Sequence, residues 1–562
     1  MVAGTTPKES AMPADAVAKL PEIEHIKARK DGLDVLADIY RYAELGFDAI
    51  APDDLTLFRW YGIYTQRAEE SAASGDPGPS DDTDGLFMLR IKFPNGIVTS
   101  DQLRTIGRLS ERYGRGMGDI TTRQNIQLHW LRIEDLPIVL DELNAVGLSF
   151  TQACGDVWRN VVGCPLAGVD GHELLDSRPL IAELERTFVG DKRFSNLPRK
   201  FKVSVSGCLH RCAQHEINDI GLVAVERDGI LGYDVWVGGG LGASARMGRR
   251  LDAFVLPEEA AEVCAAITEI FRDEGKRTKR TRARIKFLVD EWGVERLRAE
   301  VERKLGRTLP TSVAPADPVD PHRDHLGVHP QVEPGLYYLG ATTLRGRFSG
   351  EQMIGVADIA DRFGSGELRC TNRQNVIVLG VPDADVEEAS ASLADIGLPT
   401  RASTYRRGII SCTGMEFCKL AIVETKERAR ELIEHLEKRV GDVPGSLRIN
   451  LNGCPNACAQ YQVADIGLQG GIARLEDGSR VQGFILHIGG RLGADAGFGR
   501  RVASKAIPAD DARYAVERIV RAYAAERPAD GTFAAWAQDQ SDRRLAALAG
   551  VAVAREPVEA AA

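Results

Sequence analysis

Leu103, Ile106, Leu109 and Tyr113 recur at helical spacing behind Thr99 and Ser100, two residues suited to cap a helix N-terminus. The same apolar stripe returns as Met353, Val356, Ile359 and Phe363. Runs rich in β-branched and aromatic residues flank each stripe: "DGLFML" (84–89) and "IQLHWLRI" (126–133) around the first, "PGLYYL" (334–339) and "VIVLGV" (376–381) around the second. Each copy therefore predicts strand, helix, strand, then a further helix that stops at Gly147 or Gly397. "TTRQN" (121–125) and "TNRQN" (371–375) hold the same place in the two copies.

The repetition continues downstream. "SGCLHRCAQHEINDIGL" (206–222) matches "NGCPNACAQYQVADIGL" (452–468), and "WVGGGLGASARMGRR" (236–250) matches "HIGGRLGADAGFGRR" (487–501). The chain reads as an α+β protein made by internal duplication. Residues 1–75 have no repeat partner over most of their length and are expected to wrap around the rest; 76–150 and 326–400 form the first pair of equivalent units, and 151–309 and 401–545 the second. A Pro- and Asp-rich linker (310–325) separates the halves, "SAASGDPGPSDDTDG" (71–85) is a second connector, and 546–562 is a flexible tail. The paired glycine loops resemble dinucleotide fingerprints, but their presence in both halves favours close backbone passage instead.

Composition narrows the function. The 562 residues carry 71 Lys plus Arg against 81 Asp plus Glu, a formal net charge of −10 that argues against non-specific nucleic-acid binding. No apolar run reaches the ~20 residues a bilayer span needs, and the first twenty residues lack an apolar signal core, so a cytoplasmic protein is expected. In that reducing compartment closely spaced cysteines serve metals or redox chemistry more often than disulfides.

Four of the ten cysteines form two tight pairs, Cys412 with Cys418 and Cys454 with Cys458. The first pair has five intervening residues, wider than zinc knuckles prefer, so an iron-sulfur cluster leads over zinc and over unligated buried thiols. "CTGMEFC" followed by "NGCPNACA" resembles the siroheme and [4Fe-4S] signature of the assimilatory nitrite and sulfite reductases, and the resemblance runs from about residue 35 to about residue 545.

The resemblance implies a fold of two pseudo-twofold halves, each with a ferredoxin-like α+β unit and a siroheme/iron-sulfur-binding α/β unit. It implies that Cys412, Cys418, Cys454 and Cys458 hold a [4Fe-4S] cluster, with Cys458 also axial to the siroheme iron. Arg90 in "FMLRIKF", Arg159 in "DVWRNVVG", and Lys200 and Lys202 in "LPRKFKVS" would surround the anion as catalytic residues. Arg123, Gln124, Asn125, Arg373, Asn375 and Asn456 would bind siroheme, the alternative being that the two "RQN" segments brace their own loops. The implied activity is six-electron reduction of nitrite to ammonia, or of sulfite to sulfide, with an acidic ferredoxin as donor. "RNVVGCPLAGVDGHELLDSRP" (159–179) resembles nitrite reductases, the side the sequence leans to, whereas Lys202 resembles sulfite reductases.

Three expectations remain. The first half keeps Cys164, Cys208 and Cys212 opposite three of the four ligands, with the fourth aligning near Asp170; these read as a vestige, a second cluster being the alternative. "KRTKRTRARIK" (276–286), the densest basic run, could steer ferredoxin, or be a solvated face or a siroheme contact. A monomer is expected, because duplication supplies the two halves internally. A non-catalytic siroheme electron-transfer protein is the reading from another class, and it would not need the four basic residues.

Overall fold

The computed structural model describes residues 20–502, 504–527 and 531–551. The two predicted stripes are the buried faces of helices α1 (Ser100–Tyr113) and α2 (Gly350–Phe363). Each begins with a reciprocal cap: Thr99 accepts from the Gln102 amide while the Gln102 side chain accepts from Thr99, and Ser349 and Gln352 repeat the arrangement. The helices pack against one another at Gly107 and Gly350, where a Cβ on either would meet the other's carbonyl oxygen at 2.8 Å. Arg104 adds ion pairs to Asp358 and Asp361 across the seam.

The seam continues into the sheets. Strands Ile63–Thr65, Phe87–Ile91, Ile126–Leu131 and Met117–Ile120 form an antiparallel sheet whose fifth strand, Arg347–Ser349, comes from the second half. The second half's own sheet, Gly327–Pro330, Leu336–Ala341, Val376–Pro382 and Glu367–Cys370, is completed by Ile97–Thr99 from the first. This exchange merges the two ferredoxin-like units into one core, which helices Glu22–Arg29, Leu36–Leu45 and Pro52–Leu57 also join through Ile26, Ile39, Tyr42 and Leu57.

Each remaining unit is a sheet of the same order. In the first, Val162–Gly163, Val203–Ser206 and Ile220–Arg227 run parallel, followed by antiparallel Ile230–Val237 and Arg249–Val255. In the second, Ile409–Ser411, Ile449–Asn452 and Ile466–Arg474 are parallel, and Arg480–Ile488 and Arg500–Arg501 follow antiparallel. All the paired cysteine motifs leave the C-terminal ends of these parallel strands, where open α/β sheets place their ligands. The glycine loops allow backbone to pass closely: a Cβ on Gly239 would lie 2.5 Å from the Glu216 and Asn218 carbonyls, and one on Gly490 would meet Gln462 at the same distance.

The linker differs from its composition. His325 is buried, and Arg323 reaches Asp170 at 2.8 Å, because this stretch docks on the first α/β unit rather than spanning solvent. The tail also begins later than its composition suggests: Asp542–Ala549 is a helix with Leu545, Ala546 and Ala549 buried, and 552–562 lie outside the described residues.

Candidate active site at the junction of the two halves

The four cysteines of the second half converge. Cys412 follows strand Ile409–Ser411, Cys454 follows Ile449–Asn452, and Cys418 and Cys458 sit on the loops between. Burial pushes the Cys412 thiol up to about 12 and Cys418 up to about 11, with Cys458 the next cause in both; Cys454 rises for the same two reasons. Backbone amides nevertheless aim at the sulfurs: Gly453 donates to Cys412 Sγ at 3.1 Å, Leu420 and Ala421 to Cys418, and Asn456 to Cys454. Thiols crowded together and ringed by N–H donors suit thiolates bound to a cationic cluster, whose charge removes the penalty.

Cys458 is exposed and opens onto a cavity also lined by Arg123, Lys202, Thr122, Gln214 and Asn218 from the first half. Around it stand the other expected cations. Arg90 projects from strand Phe87–Ile91 and donates to Tyr64 Oη at 2.8 Å, to Gln127 Oε1 at 2.9 Å and to the Ala153 carbonyl. Arg159 is held by the Gly155 carbonyl at 2.6 Å. Lys200 and Lys202 have no carboxylate or carbonyl partner for their ammonium groups among the described residues. Burial draws the Lys200 ammonium down to about 8, Cys458 opposing and Arg284, Arg199 and Arg159 adding to it. Lys202 falls well below its ordinary range through burial, then Lys200, Arg123 and Arg284. Half-buried cations that depress one another without a counter-charge call for an anionic ligand, and a tetrapyrrole with eight carboxylates beside a bound oxyanion supplies one.

Lys202 is left free by a substitution within the repeat. In the second half its counterpart, Arg448, donates its backbone N–H to Asp465 and also pairs its own guanidinium with that carboxylate at 3.0 Å. In the first half the Lys202 N–H donates to Asp219 in the same way, but Arg284 supplies the guanidinium, at 2.7 Å. The Lys202 side chain is thereby released to the cavity.

The other expected siroheme residues divide. Arg123 lies in the cavity, drawn down to about 9 by burial and by Arg159, although it also braces Asn160 and Val203 carbonyls. Gln124 is fully buried, bonding the Asn95 and Cys370 carbonyls and the Gly163 amide. Asn125 accepts from Phe93, Asn375 accepts from Thr343, and Arg373 donates to the Gly408 carbonyl. Gln124, Asn125, Arg373 and Asn375 each bond backbone, as buried polar groups near irregular backbone do, while Arg373 Nε has no partner among the described residues. Asn456 has an exposed side chain.

The basic run turns inward. Arg277 pairs with Glu24, Arg280 with Asp156 and Arg284 with Asp219, and Lys286 donates to the Gly240 carbonyl; only Lys276, Lys279 and Arg282 of its cations are exposed. Four of its seven cations are thus engaged within the protein, and three remain on the surface.

Cys154 and Gln127 were not foreseen here. The Cys154 thiol, half-buried, is drawn down to about 6 by Arg159 and Arg90 against the opposing effect of burial. Tyr64 and Gln127 hold Arg90, and Gln127 Nε2 donates to Thr413 Oγ1 at 3.3 Å, linking the arginine to the loop after Cys412. Gln127 and His129 alternate with the core residues Ile126 and Leu128 on their strand, a pattern that could have singled Gln127 out.

Family models match the chain in two alternating pairs: the nitrite and sulphite reductase 4Fe-4S domain at 154–309 and 403–541, and the nitrite/sulfite reductase ferredoxin-like half domain at 79–146 and 329–396. The chain belongs to the siroheme- and [4Fe-4S]-dependent nitrite and sulfite reductase family, ferredoxin-dependent oxidoreductases. It is 40% identical to sulfite reductase [ferredoxin] 2 of Mycolicibacterium paratuberculosis over 90% of this chain and 92% of that one. It is 39% identical to ferredoxin–nitrite reductase of Synechococcus elongatus over 86% and 93%. The solved structure of the Mycobacterium tuberculosis NirA protein superposes with a TM-score of 0.90 at 38% identity, covering 94% of this chain and 97% of that one. No helix among the described residues is long and apolar enough to cross a membrane.

Proposed function

We propose that the chain reduces sulfite to sulfide by six electrons taken from reduced ferredoxin. The observation that carries this is the Lys202 side chain, whose Nζ has no partner among the described residues, on the wall of the cavity that contains Cys458. The residues that resemble nitrite reductases point elsewhere: beyond Arg159, the Asn160 amide braces the Phe93 and Arg123 carbonyls, and Cys164 and Leu166 are buried beside the second half's sheet. The residue that resembles sulfite reductases faces the cavity, and a second free amine suits a dianion with three oxygens better than a monoanion with two.

When bound, siroheme and the cluster held by Cys412, Cys418, Cys454 and Cys458 supply the metal that takes the anion and the path for its electrons. Arg90 and Arg159 hold the anion's oxygens, their guanidinium planes fixed by the Gln127, Tyr64 and Gly155 oxygens. Lys200 and Lys202 hold protons at Nζ within a low-dielectric cavity and give them up as S–O bonds break. Lys200, drawn down to about 8, is matched to that task at neutral pH.

Nitrite reduction to ammonia is the second reading, favoured by the 159–179 stretch, since the smaller anion fits a site built for the larger. Measuring kcat/KM for both anions with reduced ferredoxin tests the choice: the proposal requires the sulfite ratio to exceed the nitrite ratio, and the reverse order assigns the chain to nitrite.

A further inference from the structure

A second thiol cluster, unused by the anion chemistry, lies between the first α/β unit and the linker. Cys164 follows strand Val162–Gly163, and Cys208 and Cys212 follow Val203–Ser206. His325 closes the linker. Relative exposure is 1%, 4%, 3% and 1% for Cys164, Cys208, Cys212 and His325. The ligand atoms of Cys164, Cys212 and His325 all lie within 4.8 Å of one another, as do those of Cys164, Cys208 and Asp170. The Cys164 thiol is within hydrogen-bonding reach of both Cys208 and Cys212. Neither ring nitrogen of His325 has a hydrogen-bond partner, although the imidazole is almost wholly removed from water. A polar ring in that position leaves at least one nitrogen uncompensated unless it meets a ligand.

We propose that Cys164, Cys208, Cys212 and His325 hold a single tetrahedral zinc ion. Zinc–sulfur bonds of about 2.3 Å place tetrahedral thiolates about 3.8 Å apart, whereas a four-iron cube needs its sulfurs farther apart. Cys164, Cys212 and His325 already lie within 4.8 Å of one another, and Cys208, grouped with Cys164, would be drawn onto the same ion. The three-residue gap between Cys208 and Cys212 is a zinc-knuckle spacing. Three thiolates and one imidazole on zinc carry a net charge of −1, and Arg323, paired with Asp170 at 2.8 Å and donating to Tyr338 Oη at 3.0 Å, stands beside them. Asp170, near which the missing fourth cysteine aligned, is occupied by Arg323, and His325 takes its place from the linker. The ion would therefore pin the linker to the first half. Asn372 of the second half, donating to the Cys212 carbonyl at 2.6 Å, rests on the same loop, so the site clamps both halves.

Elemental analysis of the purified holoenzyme tests this, because zinc is counted apart from the iron of the catalytic centre. The expected result is one zinc per chain, retained in Cys412→Ser when cluster iron is lost and absent from Cys208→Ser and His325→Ala. Zinc-edge X-ray absorption on the unmodified enzyme, independent of how well variants fold, should show three sulfur and one nitrogen neighbours. Less than a tenth of a zinc per chain after growth in zinc-supplemented medium, a sixth iron in its place, or zinc that persists in both variants would overturn the proposal.

Discussion

The Thr122 hydroxyl of the first half donates to the Cys458 carbonyl of the second at 2.7 Å, and Asn372 of the second half donates to the Cys212 carbonyl of the first at 2.6 Å. Each "RQN" loop thus seats the other half's cysteine loop. The duplication builds two crossed sites, and the sequence has furnished them differently: free lysines and an exposed Cys458 in one, buried thiols and a buried histidine in the other.

Lys202 sets anion preference in this account. Lys202→Asn should lower kcat/KM for sulfite at least tenfold, about 1.4 kcal/mol of transition-state stabilisation, and lower the nitrite value by less. Steady-state kinetics with both anions checks it; equal losses would remove Lys202 from selectivity.

Lys200 gives a pH dependence whose sign follows from its depressed value. The ammonium is present below about 8 and lost above, so sulfite KM should rise as pH climbs through about 8. Lys200→Arg, charged throughout, should flatten that rise. A profile unchanged in the variant would assign the titration to another group.

Arg284 keeps Lys202 free by occupying Asp219. Arg284→Ala leaves a buried carboxylate unpaired, costing about 3–5 kcal/mol and recruiting the Lys202 ammonium away from the cavity. Sulfite KM should rise, and Arg284→Ala with Asp219→Asn should recover it. Thermal unfolding and KM together separate the two effects: lost stability with KM unmoved would contradict the recruitment.

The helix seam tolerates no side chain at Gly107. Alanine normally stabilises a helix interior by about 1 kcal/mol relative to glycine, but here its Cβ would meet the Gly350 carbonyl and Ile354 at 2.8 Å. Overpacking should win, costing about 1–3 kcal/mol and lowering Tm, with activity per folded holoenzyme kept. A raised Tm would mean the helices can part without cost.

Much of this architecture could be read from residue order. Period and capping located α1 and α2, and internal repetition located both cysteine loops, because these are local patterns. Strand exchange at Ile97–Thr99 and Arg347–Ser349 was not legible, since three-residue edge strands carry no register of their own. Arg90, Arg159, Lys200 and Lys202 were named from motif context, yet Cys154 and Gln127 were missed because their partners are distant in sequence. The "RQN" residues could be read as siroheme contacts or braces and the basic run as a docking face, a solvated face or a siroheme contact, because the pairing of Arg277, Arg280 and Arg284 with Glu24, Asp156 and Asp219 is long-range and leaves no local signal. His325 looked like linker because Pro and Asp dominate its neighbours.

The most direct test of the central claim, that a cationic cavity assembled from both halves presents a haem-bound anion site at Cys458, is optical titration of the purified enzyme with sulfite. The account predicts a siroheme absorption that shifts saturably with sulfite, with a midpoint raised at least tenfold in the Arg90→Gln, Lys202→Asn double variant. A chain with no visible haem band, or a shift whose midpoint is indifferent to those two residues, would contradict it.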